Sequence, residues 1–528
     1  MLEPSEDGGL QVEDKGLSRD ELLRRALVGG AVLALPGLIG EGAASAAAGP
    51  KRGGTFRVGM VGGGASEVIS PTRALNEIDI ARTRLLYERL VDFKPDGSIY
   101  NQLAEDFSPS KDARRWKIKV RRGVSFHDGS PLTAADVVYS LQYIINPASK
   151  ANAGSQLSFI KPQNIRKLDK YTVLITLDDP SATLRTTLSN RGITIFKRGT
   201  TDFAVPNGTG PFKYKSFAPG ERSVFVRNGA YRIHGGPYVD SVEIISISDP
   251  TARLNALAAG QVDAIGQLDF KLASQVTGNS KLRLINAGSG VYTCQFVFID
   301  DPSFSDPRVR QALRLMVDRR QIIQNALLGY GRIGNDLACW LDPDYAKQIP
   351  QRPYDPEQAK FLLKQAGKDG ATFVLSTSDV APAMLDSSVL IAEQAKKAGI
   401  TINLNKAPAD QYWSNYYLKN PFACTNWGYR PLDTQIAEGI ESKAGGANET
   451  HWFDPKFDKI VAQARRTIDN KKRHDLWVGA QKMLWDQGGY IIWGFLNNVD
   501  ATSSKVHGLK PSAVRPLGWY DFTNVYLA

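Results

Sequence analysis

Histidine, cysteine and serine most often carry catalysis or bind metals, and in this chain of 528 residues their spacing supports neither role. There is no Gly-x-Ser-x-Gly nucleophile turn and no His-Glu-x-x-His zinc pair. The cysteines are too few for a disulfide framework and too far apart for a zinc ribbon or a Cys-x-x-Cys redox site. The sequence therefore predicts neither a metal site nor a bound cofactor, and an exported hydrolase whose catalytic residues meet only in space is the enzymatic alternative. The histidines and cysteines are His127, His234, His451, His474, His507, Cys294, Cys339 and Cys424.

The segment 412–433 is rich in aromatic residues, which are candidates for the wall of a ligand site. Aromatic rings offer wide apolar walls with polar tips, as a promiscuous or sugar-like ligand requires, although rings of this kind also fill ordinary cores. The aromatic and charged members of the segment are Tyr412, Trp413, Tyr416, Tyr417, Trp427, Tyr429, Arg430 and Asp433.

The N-terminus predicts that the protein works outside the cytoplasm. Arg24 and Arg25 precede an apolar run over residues 26–39 and small residues over 43–48, which is the pattern of an export signal too short to span a bilayer. We expect residues 1–48 to be cleaved after Tat or Sec export. Because no cysteine precedes Cys294, a lipid anchor is not expected, and the mature protein should be soluble in the periplasm.

The distribution of the basic residues along the chain argues against a nucleic-acid partner. The hydrophobic fraction of 42% and the charged fraction of 23% are ordinary for a soluble globular protein, and the net charge is +11. The densest basic stretch, residues 111–122, alternates with Trp116, Ile118 and Val120, as the solvated face of a strand does. An oxidising compartment permits one disulfide, for which Cys294 and Cys424 are the first candidates; a bond from Cys339 to either, or three buried thiols, are the alternatives.

The order of predicted elements indicates two α/β units. Asp249-Pro250 opens a helix that Gly260 ends, between strand patterns at 242–247 and 262–265, and this order implies a βαβ crossover. A second unit alternates strand and helix patterns after residue 290, and 490–496 returns the chain to the first. Two hinged lobes place a ligand cleft between them. The strands and helices predicted in the second unit are 292–299, 306–328, 356–366, 372–376, 388–398, 400–405, 455–467 and 471–487.

Several motifs in collinear order resemble one protein family. Phe304 to Ala312 fits "F-x-D-x-R-V-R-x-A", with Asp306 as a helix cap and Pro307 at the first helical position. Residues 86–91 and 124–137 fit "L-Y-E-x-L-V" and "V-x-F-H-D-G-x-P-L-T-A-x-D-V", and 208–212 and 260–265 fit "G-T-G-P-F" and "G-x-V-D-A-I". The chain resembles the peptide/nickel-type (family five) substrate-binding proteins of ABC importers.

The resemblance implies a two-lobe periplasmic-binding-protein fold, class II in type, with an enlarged first lobe and a hinge. By this analogy lobe one comprises residues 49–290, with a subdomain near 86–205, lobe two comprises 291–497, and 498–528 return to lobe one. It also implies a monomer that captures a small solute or short peptide and docks on ABC permease subunits. Some relatives act as sensors or chaperones, which is the non-transport alternative.

The same resemblance identifies candidate ligand contacts. In peptide-binding members a Trp followed three residues later by Asp receives the peptide's α-ammonium, whereas here Trp427 is followed by Arg430. The inverted charge favours a ligand with carboxylate, phosphate or sugar oxygens, unless Arg430 pairs with a nearby acid. If the loop is shifted, Asp433 replaces the missing acid, and a peptide with a free amino terminus is then the alternative ligand. Family position adds further candidates for the cleft, which are Tyr292, Gln295, Phe296, Trp493 and Asn497, and Tyr429 is a candidate from the aromatic cluster.

Overall fold

The computed structural model describes residues 50–233 and 235–528, so the export segment predicted over 1–48 lies outside the described residues, as does His234. Within the described part of the chain, no helix is long and apolar enough to cross a membrane.

One twelve-stranded sheet joins the two lobes. Its two long central strands, Leu282–Val297 and Gly494–Ser503, pair with each other in antiparallel fashion and pass from one half of the sheet to the other. The half next to Gly494–Ser503 is the centre of lobe one and the half next to Leu282–Val297 is the centre of lobe two. The lobe-one strands are Ala264–Ile265, Thr55–Met60, Ser241–Ser246, Arg222–Arg227 and Phe212–Ala218, and the lobe-two strands are Phe422–Trp427, Thr372–Thr377 and Thr401–Lys406.

The pairing of the two central strands is interrupted between Gly288 and Val291. In this gap the hydroxyl of Ser289 donates to the carbonyl of Leu496 at 2.6 Å. Beyond it, the strand leaves its lobe-one partner and pairs with Phe422–Trp427. The predicted lobe boundary after residue 290 falls within this irregularity, and the boundary itself stays a prediction.

Lobe one contains the expected βαβ crossover. Thr55–Met60 pairs in parallel with both Ser241–Ser246 and Ala264–Ile265, and the helix Pro250–Ala258 connects these two outer strands. The Asp249 side chain caps that helix by accepting from the backbone N–H of Ala252 at 2.6 Å.

The segment 86–205 adds a four-stranded antiparallel sheet and the helix Ala134–Ile145 to lobe one. In its strand Arg115–Val120 the basic residues are exposed and Trp116, Ile118 and Val120 are buried, as the alternation predicts. His127 bonds turn backbone, with its Nε2 3.1 Å from the carbonyl oxygen of Gly210. Burial lowers the pKa of His127 to about 4, so the ring is neutral at pH 7. The strands of this sheet are Ala104–Pro109, Arg115–Val120, Thr172–Thr176 and Ile165–Asp169.

Lobe two differs from the sequence prediction in its first helix. The single helix predicted over 306–328 is two helices, Pro307–Leu315 and Arg319–Ala326. The break arises because the Asp318 side chain accepts from the backbone N–H of Gln321 at 3.0 Å and so starts a new helix. The cap at Asp306 is confirmed, since its carboxylate accepts from the backbone N–H of Arg308 at 2.8 Å.

The structure contradicts the predicted disulfide. All three thiols are free and buried. Cys294 lies opposite Thr425, so Cys424, one residue earlier on the neighbouring strand, points to the other face of the sheet. The two thiols accordingly belong to different core clusters.

The remaining elements complete both lobes around these sheets. The other helices are Glu77–Leu86, Leu184–Thr187, Ala273–Thr277, Pro356–Gln365, Met384–Lys397, Leu432–Gly439, Pro455–Arg466, Asn470–Gln487 and the irregular turn Pro516–Trp519. The other strands are Val91–Phe93, Ile99–Asn101, Gly331–Ile333, Tyr490–Ile491, Val506–His507 and Tyr526–Leu527.

Candidate functional site

A cavity of about 350 Å³ lies between the lobes at the carboxyl end of the strand Phe422–Trp427. Its volume is near the lower end of the range for small-molecule sites, and sheets of this class commonly bind ligands beyond the carboxyl ends of their strands. Both lobes supply its walls. The lining residues are Leu75, Arg191 and Arg515 from lobe one and Trp413, Tyr417, Thr425, Asn426, Trp427, Gly428 and Arg430 from lobe two.

Arg430 is held in this cavity by two neighbours. Its guanidinium carbon lies 4.5 Å from the centroid of the Trp427 ring, and its Nε lies 2.6 Å from Oε2 of Glu438. From the sequence, pairing with an acid and facing the ligand are alternatives for Arg430. The structure combines both, since Arg430 has an acidic partner and lines the cavity.

Arg515 enters from lobe one against the backbone of Gly428. Its Nη1 pairs with Glu77, whose other carboxylate oxygen accepts from the Tyr520 hydroxyl at 2.5 Å. A Cβ at Gly428 would lie 2.9 Å from both terminal nitrogens of Arg515. Glycine at 428 therefore lets the cation approach the loop of lobe two closely.

Arg191 is the third cation of the cavity, and it has no acidic partner among the described residues. Among the described residues its side chain has neither a hydrogen-bond partner nor a carboxylate within ion-pair distance, and it is only partly exposed. Burial, together with the nearby charges of Arg515 and Arg430, lowers the pKa of Arg191 to about 10. The group is still cationic at pH 7, so the cleft carries a positive charge that the protein itself leaves unneutralised.

A buried carboxylate stands behind the lobe-two wall. Glu449 accepts from the hydroxyls of Tyr417 at 2.5 Å, Thr425 at 2.6 Å and Tyr490 at 2.6 Å, and from the indole N–H of Trp427 at 2.9 Å. Burial raises the pKa of Glu449, whereas the four donors act in the opposite direction. Three of the four donors belong to residues that line the cavity.

The rim of the cleft holds the lobes together through few contacts. Nε2 of Gln156 donates to Oε1 of Glu438 at 2.5 Å, and the backbone N–H of Ala182 donates to the carbonyl of Arg465 at 2.6 Å. The structure is therefore that of a closed cleft.

Four residues of the predicted segment 412–433 line the cavity, namely Trp413, Tyr417, Trp427 and Arg430, whereas Asp433 and Tyr429 do not. Asp433 is engaged by Arg465, whose Nε lies 2.6 Å from its carboxylate. Tyr429 is buried, and its hydroxyl donates to the carbonyl of Gly97 in lobe one at 3.2 Å. Asp433 is thus already paired with a cation, and Tyr429 joins the lobes; their contact with ligand stays a prediction that this placement does not favour.

The other predicted contacts also lie away from the cavity. Tyr292, Gln295 and Phe296 are buried in the core of lobe two, where the Gln295 amide donates to the Ser387 hydroxyl at 3.1 Å. Trp493 is fully buried. Asn497 donates to Asn286 at 2.8 Å between the two central strands. Their placement does not support the contact with ligand that family position implied.

Arg191, Arg515 and Glu449 were not predicted from the sequence. Arg191 and Arg515 lie in loops far along the chain from residues 412–433, Glu449 lies in the loop before the helix Pro455–Arg466, and no periodicity indicates the direction of these side chains. The signals available were a basic residue between Asn190 and Gly192, which are turn residues, and an acid three residues before Trp452. Neither is specific. Among the described residues no group of three His, Cys, Asp or Glu is arranged to hold a metal ion.

The fold and cleft are those of a solute-binding protein, and comparison with known proteins identifies the family. The model of the bacterial extracellular solute-binding proteins, family 5, matches residues 98–437. The chain belongs to this family. The predicted family and the two-lobe α/β fold are thereby confirmed, as is the function at the level of solute capture for ABC import.

Similar proteins span nearly the whole chain at low identity. The glutathione-binding protein GsiB of Pectobacterium atrosepticum is 24% identical, over 83% of this chain and 88% of its own length. The oligopeptide-binding protein AppA of Bacillus subtilis is 26% identical, over 91% of this chain and 92% of its own length. The solved structure of AgaA from A. tumefaciens R10 in complex with agropinic acid is 24% identical, covers 90% of this chain and 99% of its own, and has a TM-score of 0.75. The likeness to AgaA concerns the fold alone.

Proposed function

We propose that this chain captures a small acidic solute between its lobes and delivers it to the permease of an ABC importer. The observation that carries the proposal is Arg191, a partly buried cation in the cleft that has no acidic partner among the described residues. A charge enclosed without a counterion costs several kcal/mol, so the closed cleft favours a ligand that supplies one.

The two other arginines support the same ligand class. Arg430 and Arg515 are each paired with one glutamate, so the five charged groups sum to one positive charge. A carboxylate or a similar oxygen anion would neutralise it, and planar guanidinium groups suit paired oxygen acceptors. We infer that Arg191, and not Arg430 alone, receives the acidic group.

A peptide with a free α-ammonium is the weaker candidate, although relatives carry peptide-binding names. The carboxylates nearest the cleft are engaged, Glu438 by Arg430, Glu77 by Arg515 and Asp433 by Arg465. An ammonium group would have to displace one of these ion pairs. A ligand without such a group fits the charge of the site better.

The family context supports the remaining parts of the proposal. We propose that residues 1–48 direct export to the periplasm and are removed, that the mature chain acts as a monomer, and that it binds without catalysing a reaction. Lobe boundaries after residues 290 and 497 belong to the same proposal.

Mass spectrometry of the solute released from the exported protein on denaturation tests the ligand class. We expect a small molecule with at least one acidic group and no primary ammonium. Calorimetry of that solute should then show about ten- to a hundredfold weaker binding to Arg191→Ala, as loss of a charged hydrogen bond implies. A neutral or cationic solute, or full affinity in Arg191→Ala, would contradict the proposal.

A further inference from the structure

Three neutral hydrogen-bond donors of the lobe-two wall are committed to one buried carboxylate. The Trp427 N–H and the hydroxyl hydrogens of Tyr417 and Thr425 all go to the carboxylate of Glu449. A carboxylate only accepts hydrogen bonds, so neither hydroxyl can reverse its direction while Glu449 is ionised.

Asn426, the next lining residue, shows the same polarity. Its amide nitrogen donates to Oγ1 of Thr293 at 2.9 Å and to the carbonyl of Tyr292 at 3.4 Å. The carbonyl of Tyr292 cannot donate, which fixes the amide orientation. The side-chain oxygen of Asn426 has no partner among the described residues and is free to accept.

The cleft is thus divided by polarity. Lobe one contributes Arg191 and Arg515, which only donate. Besides the donors Arg430 and Trp413, lobe two offers three side-chain oxygen acceptors to the cavity: Tyr417 and Thr425, which both bond Glu449, and Asn426. A ligand that satisfies both walls needs an anionic acceptor at one end and neutral donors along the rest of its length.

We propose that the ligand is a small carboxylic acid that carries neutral donors, hydroxyl or N–H groups, and that Glu449 is the positioning residue that makes the lobe-two wall select them. The inference rests on the proposed function and deepens it. Arg191 binds the acidic group of the ligand, and Glu449 orients the hydroxyls that accept hydrogen bonds from the ligand's donors. The exposed ring of Trp413 adds an apolar wall on which the body of such a ligand lies.

The variant Glu449→Gln separates this role from a merely structural one. A glutamine amide would accept from Trp427 and Tyr490 through its oxygen and donate to the Tyr417 and Thr425 hydroxyls through its nitrogen. Every buried group keeps a partner, so the protein should fold. The two hydroxyl hydrogens are then released and the wall becomes able to donate, which opposes a ligand that brings donors of its own.

Four probes measure the two requirements independently by calorimetry: D-gluconate, hexanoate, sorbitol and the dipeptide Ala-Ala. Wild-type protein should bind gluconate at least tenfold more tightly than the other three. Glu449→Gln should weaken gluconate about tenfold and leave hexanoate within twofold, because only gluconate uses the acceptor wall. Arg191→Ala should weaken both acids and leave sorbitol unchanged.

Two further variants test the same wall independently and provide a control. Tyr417→Phe removes one acceptor, together with one of the four donors to Glu449, while the carboxylate itself stays in place. It should also reduce the preference for gluconate over hexanoate, even if Glu449→Gln does not fold. Glu357→Gln, an exposed Glu of lobe two, is the matched control and should behave as wild type.

Equal affinity for gluconate and hexanoate, tighter binding of sorbitol or Ala-Ala, or binding of none of the four would overturn the inference. So would a preference for gluconate that survives in both Glu449→Gln and Tyr417→Phe. An acidic solute found in the exported protein that lacks hydroxyl and N–H donors would overturn this inference while leaving the proposed function intact. Absence of any captured solute together with unbound probes would count against both.

Discussion

The guanidinium of Arg430 lies over the indole ring of Trp427, with 4.5 Å between its carbon and the ring centroid. The same indole donates its N–H to Glu449 at 2.9 Å, so the ring connects a cation on its face to a buried carboxylate at its edge. The position and the charge of Arg430 in the cleft are therefore fixed by residues behind the wall as well as by Glu438.

Replacement of Arg430 by alanine should weaken the captured acidic solute about ten- to a hundredfold. The change removes a cation and also leaves Glu438 without its ion pair, so the cleft loses its positive character. Calorimetry with the solute released from wild-type protein measures the effect. Arg320→Ala, at an exposed position of lobe two, is the matched control, and equal losses in both variants would refute a specific role.

Gly428→Ala should weaken the same solute without unfolding the protein. The added Cβ would lie 2.9 Å from the terminal nitrogens of Arg515, a distance that forces the guanidinium away from the loop. Gly479→Ala, in the helix Asn470–Gln487, is the control, since no atom lies within 4 Å of its Cβ and alanine should raise stability by about 0.5–1 kcal/mol. Unchanged affinity in Gly428→Ala would show that the position of Arg515 does not matter for binding.

Local sequence signals predicted the elements of the fold well because these signals act within a few residues. Asp249 and Asp306 cap their helices as expected, and the alternation around Trp116 and Ile118 gives one buried face. The single helix predicted over 306–328 was wrong at Asp318 because a local capping signal was overlooked. A capping residue inside an amphipathic pattern ended one helix and began another, and hydrophobic spacing alone did not reveal it.

The site was only half predictable because its residues meet through the fold and not through the sequence. Trp427 and Arg430 were found since they share one segment. Arg191 comes from a loop of the other lobe, and Glu449 serves the site from behind through hydrogen bonds that no spacing rule records. The predicted disulfide was wrong for a related reason. Cys294 and Cys424 lie one register position apart on adjacent strands, and the pleat of the sheet therefore directs their side chains to opposite faces.

Thiol counting on denatured, unreduced protein should give three free groups per chain. Cys294, Cys339 and Cys424 are buried and unpaired, and burial raises the pKa of each thiol, which suppresses the reactive thiolate. Reaction with Ellman's reagent should be slow before denaturation and complete after it. A count of one would restore a disulfide and contradict the placement of these residues.

Asp500 should make the protein less stable as the pH rises from about 4 to about 7. Burial raises the pKa of Asp500 to about 7, even though its carboxylate accepts from the backbone N–H groups of Leu517 at 2.6 Å and Gln267 at 3.0 Å. Between the ordinary value near 4 and about 7, the folded state holds a proton that the unfolded state releases. This group therefore lowers the free energy of unfolding by up to about 1.4 kcal/mol per pH unit in that window.

Urea unfolding at pH 5 and pH 8 measures this contribution as a difference between two proteins. Asp500→Ser retains one acceptor but no titratable group, so its free energy of unfolding should fall less between the two pH values than that of wild-type protein. Equal pH dependence in both proteins would show that Asp500 titrates normally.

Ligand should favour the closed cleft, because few contacts bridge the lobes at its rim and the exposed ion pair among them contributes little. The ion pair of Arg466 with Asp179 spans the rim at 3.3 Å, but its side chains are 54% and 78% exposed, and such pairs contribute about 0–1 kcal/mol. The cations Arg191 and Arg515 of lobe one and Arg430 of lobe two meet at the cavity, where without an anion they repel each other. An acidic solute replaces that repulsion with contacts to both lobes and shifts the population toward the closed state.

Small-angle scattering should therefore show a smaller radius of gyration at saturating solute than in its absence. Asp179→Ala should respond as wild type does, whereas Arg191→Ala should need a higher solute concentration for the same change. An identical scattering profile with and without bound solute would mean that capture does not involve movement of the lobes.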